Sequence, residues 1–307
     1  MKISELTIYL KAKENVILPP YKGSVLRGAF GYALRKISCP FPEKDCEKCL
    51  LKSKCVYIYL FETKRPEGSA IMRKYETIPH PFVLEPPLNT KTDYKPGDLL
   101  SFNLILFGNA IDYLPYFIYA FEQMAEKGLG KGKNRGKLVV QSIKQGRKII
   151  YDGASKTIKE KIKEKELKIQ NSKKEVNQVV IKFLTPVRIV YQGKVAKNLD
   201  FHILIRSLLR RIGLLSYFYS SKPFKIEYKK LIEQALSVKI TKAELTHLDW
   251  CRYSTRQEQL IKMDGLVGEV VYQGNLSQFI PYLKIGEKIH VGKGTTFGLG
   301  KYQLKLG

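Results

Sequence analysis

The sequence predicts an α+β protein in which the order β-α-β-β-α-β occurs twice, as two tandem ferredoxin-like (RRM-like) domains with a small cysteine knuckle inserted. Apolar and polar residues alternate at residues 3–10, which is typical of a strand with one buried face. The same succession of elements restarts after residue 175, and each half ends with a helix, a glycine-rich loop and a strand. We therefore expect domains at 1–154 and 176–307, joined by a charged connector at 155–175.

The first half contains four predicted strands and two predicted helices. The strands are placed at residues 3–10, 56–62, 99–107 and 137–143, and the helices at 24–36, with Ser24 as the N-cap, and at 111–127. Between them, residues 63–98 hold six of the fourteen prolines and show no helical period. This composition indicates an insertion of loops and short strands.

The second half follows the connector at 155–175, which carries eight lysines and four glutamates with little apolar content. We expect this connector to be part helix and part mobile. Beyond it, strands are predicted at 179–190, 239–253, 265–272 and 301–306, and helices at 200–219 and 276–285.

The chain is strongly basic, with 54 lysines and arginines against 28 aspartates and glutamates and a net charge of +26. Because 44% of the residues are hydrophobic, the chain can bury a core and is not a disordered basic tail. No apolar run reaches the ~18 residues of a membrane span, and residues 1–13 are charged where an export signal is apolar. We expect a cytoplasmic protein with a polyanionic partner, most naturally a nucleic acid, rather than a membrane protein or secreted scaffold.

Four of the five cysteines lie close together, at Cys39, Cys46, Cys49 and Cys55. A C-x2-C pair in a turn-rich segment presents two thiolates to one ion, and flanking cysteines can complete a tetrahedron. The favoured interpretation is a structural zinc ion, since four thiolates leave no open position for catalysis. An iron–sulfur cluster and two disulfides, the latter in a hyperthermophilic host, are the alternatives. Cys251 is expected to be an isolated thiol.

Two glycine-rich loops occupy corresponding places in the two halves, at residues 128–136 and 292–301. Neither fits a P-loop or a dinucleotide fingerprint, but clustered glycines let backbone N–H groups approach phosphate closely. Residues 127–148 hold eight lysines and arginines and no carboxylate, which favours contact with a phosphodiester backbone. The candidate nucleic-acid contacts on the loops are Lys131, Lys133, Arg135, Lys293, Thr295, Thr296 and Lys301.

Four segments resemble a known family. The sequence reads YKGSVLRGAFG at 21–31, before the cysteine cluster, then WCRYS at 250–254, MDGLVG at 263–268 and HVGKGTTFGLG at 290–300. Together they resemble the CRISPR-associated repeat-RNA endoribonucleases of the RAMP superfamily, in its zinc-knuckle branch. The resemblance implies tandem ferredoxin-like domains that bind the CRISPR repeat and cut it once per repeat without a metal ion. It also implies products with a 2′,3′-cyclic phosphate and a 5′-hydroxyl.

Such cleavage needs a base for the 2′-hydroxyl proton, an acid for the leaving 5′-oxygen and a cation for the charge of the phosphorane. Relatives often carry a histidine in the first helix, at the position of Tyr32 in this sequence. Tyrosine can replace it if Lys22, Arg27 or Arg35 lowers its pKa. The alternative is an aromatic side chain packed between the domains. Lys22 and Arg27 are also expected to contact RNA.

Two of the four histidines are further catalytic candidates. His202, Arg206 and Arg210 recur every four residues along one helix face, which either lies along RNA or faces water. His290 directly precedes the second glycine loop. It is either a catalytic or phosphate-contacting group, or it orders the loop through a bond to the backbone.

The other two histidines, His80 and His247, are interpreted as structural or surface residues. Arg252 and Arg256 flank Tyr253 and are predicted to contact the RNA backbone or its bases. Tyr253 itself either stacks on a base or is buried in a sheet.

The sequence leaves three functions in competition. The leading one is an endoribonuclease that matures CRISPR RNA, as a monomer or homodimer, with zinc only as a structural staple and no cofactor for catalysis. The second is a non-catalytic RAMP subunit that binds guide RNA beside other subunits of a CRISPR effector complex and leaves the repeat intact. The third is a zinc-containing RNA or DNA binder outside CRISPR systems, which would show little preference for the repeat.

Overall fold

The computed structural model describes residues 1–41, 45–72, 75–131, 134–170, 175–254 and 259–307. The chain divides into two compact units. Residues 2–165 form the first unit, and residues 166–307 with Met1 form the second. Among the described residues, no helix combines the length and the apolar character needed to cross a membrane.

The first unit combines a main antiparallel sheet and smaller two-stranded sheets with two long helices, α1 (Gly23–Ser38) and α2 (Leu114–Lys127). Its strands are β1 (Lys2–Ala12), β2 (Val16–Ile17), β3 (Phe82–Glu85), β4 (Asp93–Tyr94), β5 (Leu99–Phe107), β6 (Leu129–Lys131), β7 (Asn134–Gly136), β8 (Leu138–Gln145), β9 (Lys148–Asp152) and β10 (Thr157–Ile158), with β11 (Lys165–Glu166) at the boundary of the units. The order of the main sheet is β10-β9-β8-β1-β5-β3, while β2 pairs with β4 and β6 with β7. Strand β1 pairs antiparallel with β5 on one side and with β8 on the other.

The core of the first unit lies between this sheet and the two helices. Leu6, Ile8 and Leu10 of β1 are buried, because alternate side chains of a strand point to the same face. Phe30 of α1 stacks on Phe117 of α2 with ring centroids 5.0 Å apart. This packing fixes which face of α1 is turned to the core.

The second unit repeats the arrangement with helices α3 (Phe201–Tyr219), α4 (Tyr228–Ala235) and α5 (Ile280–Ile289). Its strands are β12 (Gln178–Val187), β13 (Val190–Tyr191), β14 (Lys194–Val195), β15 (Lys239–Leu248), β16 (Cys251–Ser254), β17 (Gln259–Lys262), β18 (Gly265–Gln273) and β19 (Tyr302–Leu306). The antiparallel sheet has the order β15-β18-β12-β19, which is the same permutation as β3-β5-β1-β8 in the first unit. The predicted double ferredoxin-like fold is confirmed.

Some local predictions are wrong. Residues 56–62, predicted as a strand, form a helical turn with π geometry at Ile58–Glu62. The rings of Tyr57 and Phe61, four residues apart, stack with centroids 5.4 Å apart, and this side-by-side contact is typical of a helix. Ser24 is not the N-cap of α1, because the helix begins one residue earlier, after Lys22.

The connector and the second unit also differ from the prediction. The described part of the connector, residues 155–170 and 175, contains the short strands β10 and β11 and no helix. Helix α4 was not predicted from the sequence. Only Leu231 and Ala235 of this helix are buried, so its apolar pattern is too short to mark a helix.

Candidate functional site

Tyr32 lies on the outward face of α1. Phe30, Ala33 and Leu34 of the same helix are buried, so the 3.6-residue period turns Tyr32 away from the core. The residue is 57% exposed. Tyr32 is therefore no part of the core of its own unit, and its hydroxyl is accessible from solvent.

Three cations lower the pKa of the Tyr32 hydroxyl. Hydrogen bonding to Lys127 has the largest effect, followed by the charge of Lys127 and then the charges of Lys36 and Arg135. The ammonium nitrogen of Lys127 lies 3.8 Å from the centroid of the tyrosine ring. Lys127 ends α2 and directly precedes the first glycine loop, so the packing of α2 against α1 brings the cation to the tyrosine.

The cations that the sequence suggested for lowering the pKa of Tyr32 have other partners. Lys22 is fully buried, and its ammonium group donates hydrogen bonds to the carbonyl oxygens of Pro20 and Asn89 at 3.0 and 3.1 Å. Arg27 Nη2 lies 2.9 Å from Nε2 of His80. Lys22 thus ties two loops together, and its burial leaves it no surface for the predicted RNA contact.

The aromatic rings of Tyr57 and Phe61 lie against three residues of α1. The ring of Phe61 occupies the space where a side chain at Gly31 would begin. The guanidinium carbon of Arg27 lies 4.3 Å from the centroid of this ring, and that of Arg35 lies 5.8 Å from the ring of Tyr57. Gly31 is thus required by packing within the first unit.

The first glycine loop is a hairpin. Strand β6 pairs with β7, with Gly130 opposite Arg135 and Lys131 opposite Asn134. Arg135 is exposed and contributes to the electrostatics of Tyr32. Lys133 lies outside the described residues, so its predicted RNA contact stays a prediction.

The second glycine loop is shaped by His290. The imidazole is fully buried, and its Nδ1 lies 3.0 Å from the carbonyl oxygen of Leu299 across the loop. Its backbone has φ +64°, a conformation that side-chain-bearing residues rarely adopt. His290 therefore orders the loop through the backbone, and its burial keeps it from touching RNA directly.

The loop residues differ in how far they are exposed. Thr295 and Thr296 are buried, which argues against the predicted RNA contacts of their side chains. The backbone N–H of Lys301 donates to Thr185 Oγ1 at 2.9 Å, and that hydroxyl donates to the carbonyl oxygen of Gly298 at 2.8 Å. Lys293, in contrast, is exposed on the loop.

His202 lies on α3 beside two arginines. Its half-buried ring meets the ring of Tyr191 edge-on, with centroids 5.8 Å apart. The guanidinium carbon of Arg206 lies 5.9 Å from the centroid of the Tyr191 ring. Arg206 and Arg210 are exposed. The predicted basic stripe is thus present on the surface of the second unit, and its contact with RNA stays a prediction.

Arg252 lies against the second glycine loop, with its guanidinium carbon 4.7 Å from the ring centroid of Phe297. Burial lowers the pKa of Arg252. Its Nε is buried without a hydrogen-bond partner among the described residues. Arg256 lies outside the described residues, so its role also stays a prediction.

The four clustered cysteines are free thiols, as is Cys251. Burial raises the pKa of Cys46; Arg35 opposes this shift, and the neighbouring thiols of Cys39 and Cys55 add to it. In the described part of the chain, no three metal-ligating side chains are close enough together to hold an ion. The ligand chemistry suits zinc, but the geometry does not form a closed site.

The structural zinc ion is therefore a prediction from the cysteine spacing alone. We expect elemental analysis of protein purified under reducing conditions to find about one zinc per chain. The variant Cys46→Ser should lose most of the metal, whereas Cys251→Ser should retain it. Wild-type protein without zinc would contradict the prediction, and the four cysteines would then be either paired in disulfides or free thiols.

Two family models match the chain. Residues 1–165 match the model described as AF_1859_N, N-terminal domain, and residues 181–302 match the model of the CRISPR-associated endoribonuclease Cas6. An uncharacterized protein of Archaeoglobus fulgidus is 26% identical over 292 residues, which are 94% of this chain and 93% of that protein.

Solved structures of Cas6 proteins share the fold. Thermus thermophilus Cas6 matches with a TM-score of 0.57 at 14% identity, over 99% of this chain and 98% of its own. A Cas6 product complex matches with a TM-score of 0.58 at 15% identity, over 99% of both chains. A chain of a partial Cas6-RT-Cas1–Cas2 complex matches with a TM-score of 0.59 at 16% identity, over all of this chain and 46% of that chain.

Proposed function

Because the chain belongs to the family defined by the AF_1859_N N-terminal domain and continues into a domain of the CRISPR-associated Cas6 endoribonucleases, we propose that it cuts CRISPR repeat RNA by transesterification without a metal ion. The Cas6 match confirms the resemblance to CRISPR-associated endoribonucleases that the sequence showed. Membership of a zinc-knuckle branch stays a prediction.

One observation supports this chemistry above the others: an exposed tyrosine whose pKa is lowered by adjacent cations. The Tyr32 phenolate takes the proton of the 2′-hydroxyl next to the scissile phosphate, and the 2′-oxygen bonds to phosphorus. The bond from phosphorus to the 5′-oxygen then breaks. The 5′-oxygen takes up a proton and leaves as a hydroxyl, and the other product ends in a 2′,3′-cyclic phosphate.

The cations around Tyr32 have a second task in this proposal. The phosphorane carries more negative charge than the diester, and fixed cations stabilise such charge without reorganisation. Lys127, Lys36 and Arg135 supply that charge from the protein itself, so the step needs no metal ion. Of the two predicted catalytic histidines, both of the second unit, the buried His290 is no candidate for a proton donor, and the catalytic role of the half-buried His202 stays a prediction.

Incubation of the purified protein with 5′-labelled CRISPR repeat RNA in excess EDTA tests the proposal. We expect one cut per repeat, and mass spectrometry should find a 2′,3′-cyclic phosphate on one product and a 5′-hydroxyl on the other. Cleavage that appears only after Mg²⁺ is added would contradict the proposal. Tight binding with the RNA left intact would instead identify a guide-RNA subunit without catalytic activity.

The second glycine loop is expected to bind the RNA backbone. Each phosphate contact of a single strand contributes a slope of about −0.7 to the dependence of log K on log salt. The double variant Lys293→Ala, Lys301→Ala should therefore bind repeat RNA more weakly and reduce this slope by about 1.4. The double variant Lys229→Ala, Lys230→Ala, which removes two exposed lysines of α4, is the control for a general loss of charge. Equal slopes in the loop variant and the wild type would contradict the contact.

A further inference from the structure

Three side chains form a hydrogen-bonded chain beside the second glycine loop. Arg188, just after β12, donates from Nε to Oδ1 of Asp264 at 3.1 Å. Nε2 of His247, near the end of β15, lies 3.2 Å from Oδ2 of the same carboxylate. The Asp264 side chain is only 12% exposed, whereas that of His247 is 50% exposed. A buried carboxylate thus holds an accessible imidazole in place.

The charge state of Asp264 follows from its partners. Burial alone would raise the pKa of this carboxyl, but the hydrogen bond and charge of Arg188 and the hydrogen bond of His247 outweigh burial and lower it. Asp264 is therefore ionised and only accepts hydrogen bonds. Nε2 of His247 must be the donor in this pair, which fixes the tautomer of the ring.

The fixed tautomer determines what the imidazole presents at Nδ1. In the neutral ring, Nδ1 carries a lone pair, which repels the oxygen atoms of a phosphate. In the protonated ring, the same atom is a charged N–H donor. Among the residues that the structure describes, none is hydrogen-bonded to Nδ1 of His247.

Arg188 connects this hydrogen-bonded set of side chains to the second glycine loop. The backbone N–H of Lys293 donates to the carbonyl oxygen of Arg188 at 2.8 Å. Gly292 has φ +89° and lies so close to this carbonyl group that a side chain would collide with it. Met263, next to Asp264, also packs close to Gly294 of the loop. The imidazole and the loop therefore belong to one structural neighbourhood of the second unit.

We propose that His247, oriented by Asp264 and Arg188, is a proton-controlled contact for a phosphodiester of RNA beside the second glycine loop. This inference rests on the proposed function, since it takes RNA as the ligand. The charges of Arg188 and Asp264 cancel, so protonation of His247 adds a full positive charge to this surface. The loop also carries Lys293 and Lys301, and the Arg252 guanidinium lies 4.7 Å from the ring of Phe297 on the loop. On β15 itself, Lys242 and Glu244 pair with each other at 2.8 Å.

The variant His247→Gln tests the contact, because glutamine keeps a hydrogen-bonding side chain and cannot take up a proton. Binding of a non-cleavable repeat RNA, with 2′-deoxynucleotides at the cut, is measured at about pH 8 and about pH 5.5 at fixed salt. We expect the wild type to gain about tenfold more affinity than His247→Gln on acidification, as one charged hydrogen bond provides. The variant Lys242→Gln on the same strand is the control, and its change in affinity should be equal at both pH values.

A second measurement reports on the imidazole of His247 and does not depend on RNA cleavage. With four histidines in the chain, ¹H–¹⁵N spectra of histidine-labelled protein can be assigned with the help of the variant. We expect the titration midpoint of His247 to rise when the RNA is bound. An unchanged midpoint, or equal acid gains in wild type and His247→Gln, would overturn the inference. Failure of the wild type to bind repeat RNA at all would instead contradict the proposed function.

Discussion

Replacing Tyr32 with phenylalanine is expected to slow cleavage of repeat RNA by about 10²–10⁴-fold, the usual contribution of a general base. Binding should change by no more than about threefold, because phenylalanine keeps the aromatic ring and removes only the hydroxyl. The residue is exposed, so the change leaves the core of the first unit intact. Single-turnover rates at saturating protein measure the chemical step separately from binding.

The matched control is Tyr119→Phe, which removes the hydroxyl of another exposed tyrosine, on α2. Its cleavage rate should equal that of the wild type. If Tyr32→Phe also cleaves at the wild-type rate, the tyrosine is not the base and the mechanism proposed here is wrong.

The pH dependence of the cleavage rate also tests the role of Tyr32 as the base. If the phenolate is the active form, as proposed, the wild-type rate should rise tenfold per pH unit until the pH reaches the lowered pKa of Tyr32. Lys127→Met removes the cation with the largest effect on that pKa, so the pKa should move up and the rate at about pH 8 should fall. The rise should continue to higher pH in this variant. In Tyr32→Phe, this part of the pH profile should be flat.

The second large effect is expected at Gly300, where the glycine loop closes. Its φ of +70° is unfavourable for any residue with a side chain, and a Cβ would also collide with the carbonyl oxygen of Val291. The backbone N–H of Gly300 donates to Pro186 at 2.9 Å, so the strand end cannot simply move away. We expect Gly300→Ala to destabilise the second unit by about 3 kcal/mol.

The control variant Gly146→Ala separates the strain of the positive φ from the collision of the Cβ with Val291. Gly146 has a similar φ of +60°, but no atom lies within 4 Å of a Cβ there. This control should cost only the strain of the left-handed conformation, about 1 kcal/mol. Urea unfolding of both variants measures the difference. Equal losses would show that the loop yields and that close packing against Val291 does not matter.

The fold could be predicted because its signals are local. The alternation in β1 and the recurrence of helix, glycine loop and strand are both visible within short stretches of sequence. Residues 56–62 were mispredicted because their apolar run fits a strand and a helix alike. The ring of Phe61, which covers Gly31, decides between the two only after the chain has folded.

The candidate site was only partly predictable for a similar reason. Tyr32 stands in a recognisable segment, but Lys127 comes from a distant helix and reaches the tyrosine only through the packing of α2 on α1. His247 looks like an ordinary strand histidine until Asp264, from the turn before the neighbouring strand, is placed beside it. Long-range pairs of this kind leave no periodic signal in the sequence.

The most direct test of the central claim is to cut two repeat RNAs that differ by one atom. One RNA is all-ribose, and the other carries a single 2′-deoxynucleotide at the cleavage position, so that the attacking 2′-oxygen is missing. We expect both to bind with equal affinity at the same salt concentration, and only the all-ribose RNA to be cut in the presence of EDTA. Cleavage of the deoxy-substituted RNA at the same position would contradict attack by the 2′-hydroxyl and with it the proposed mechanism.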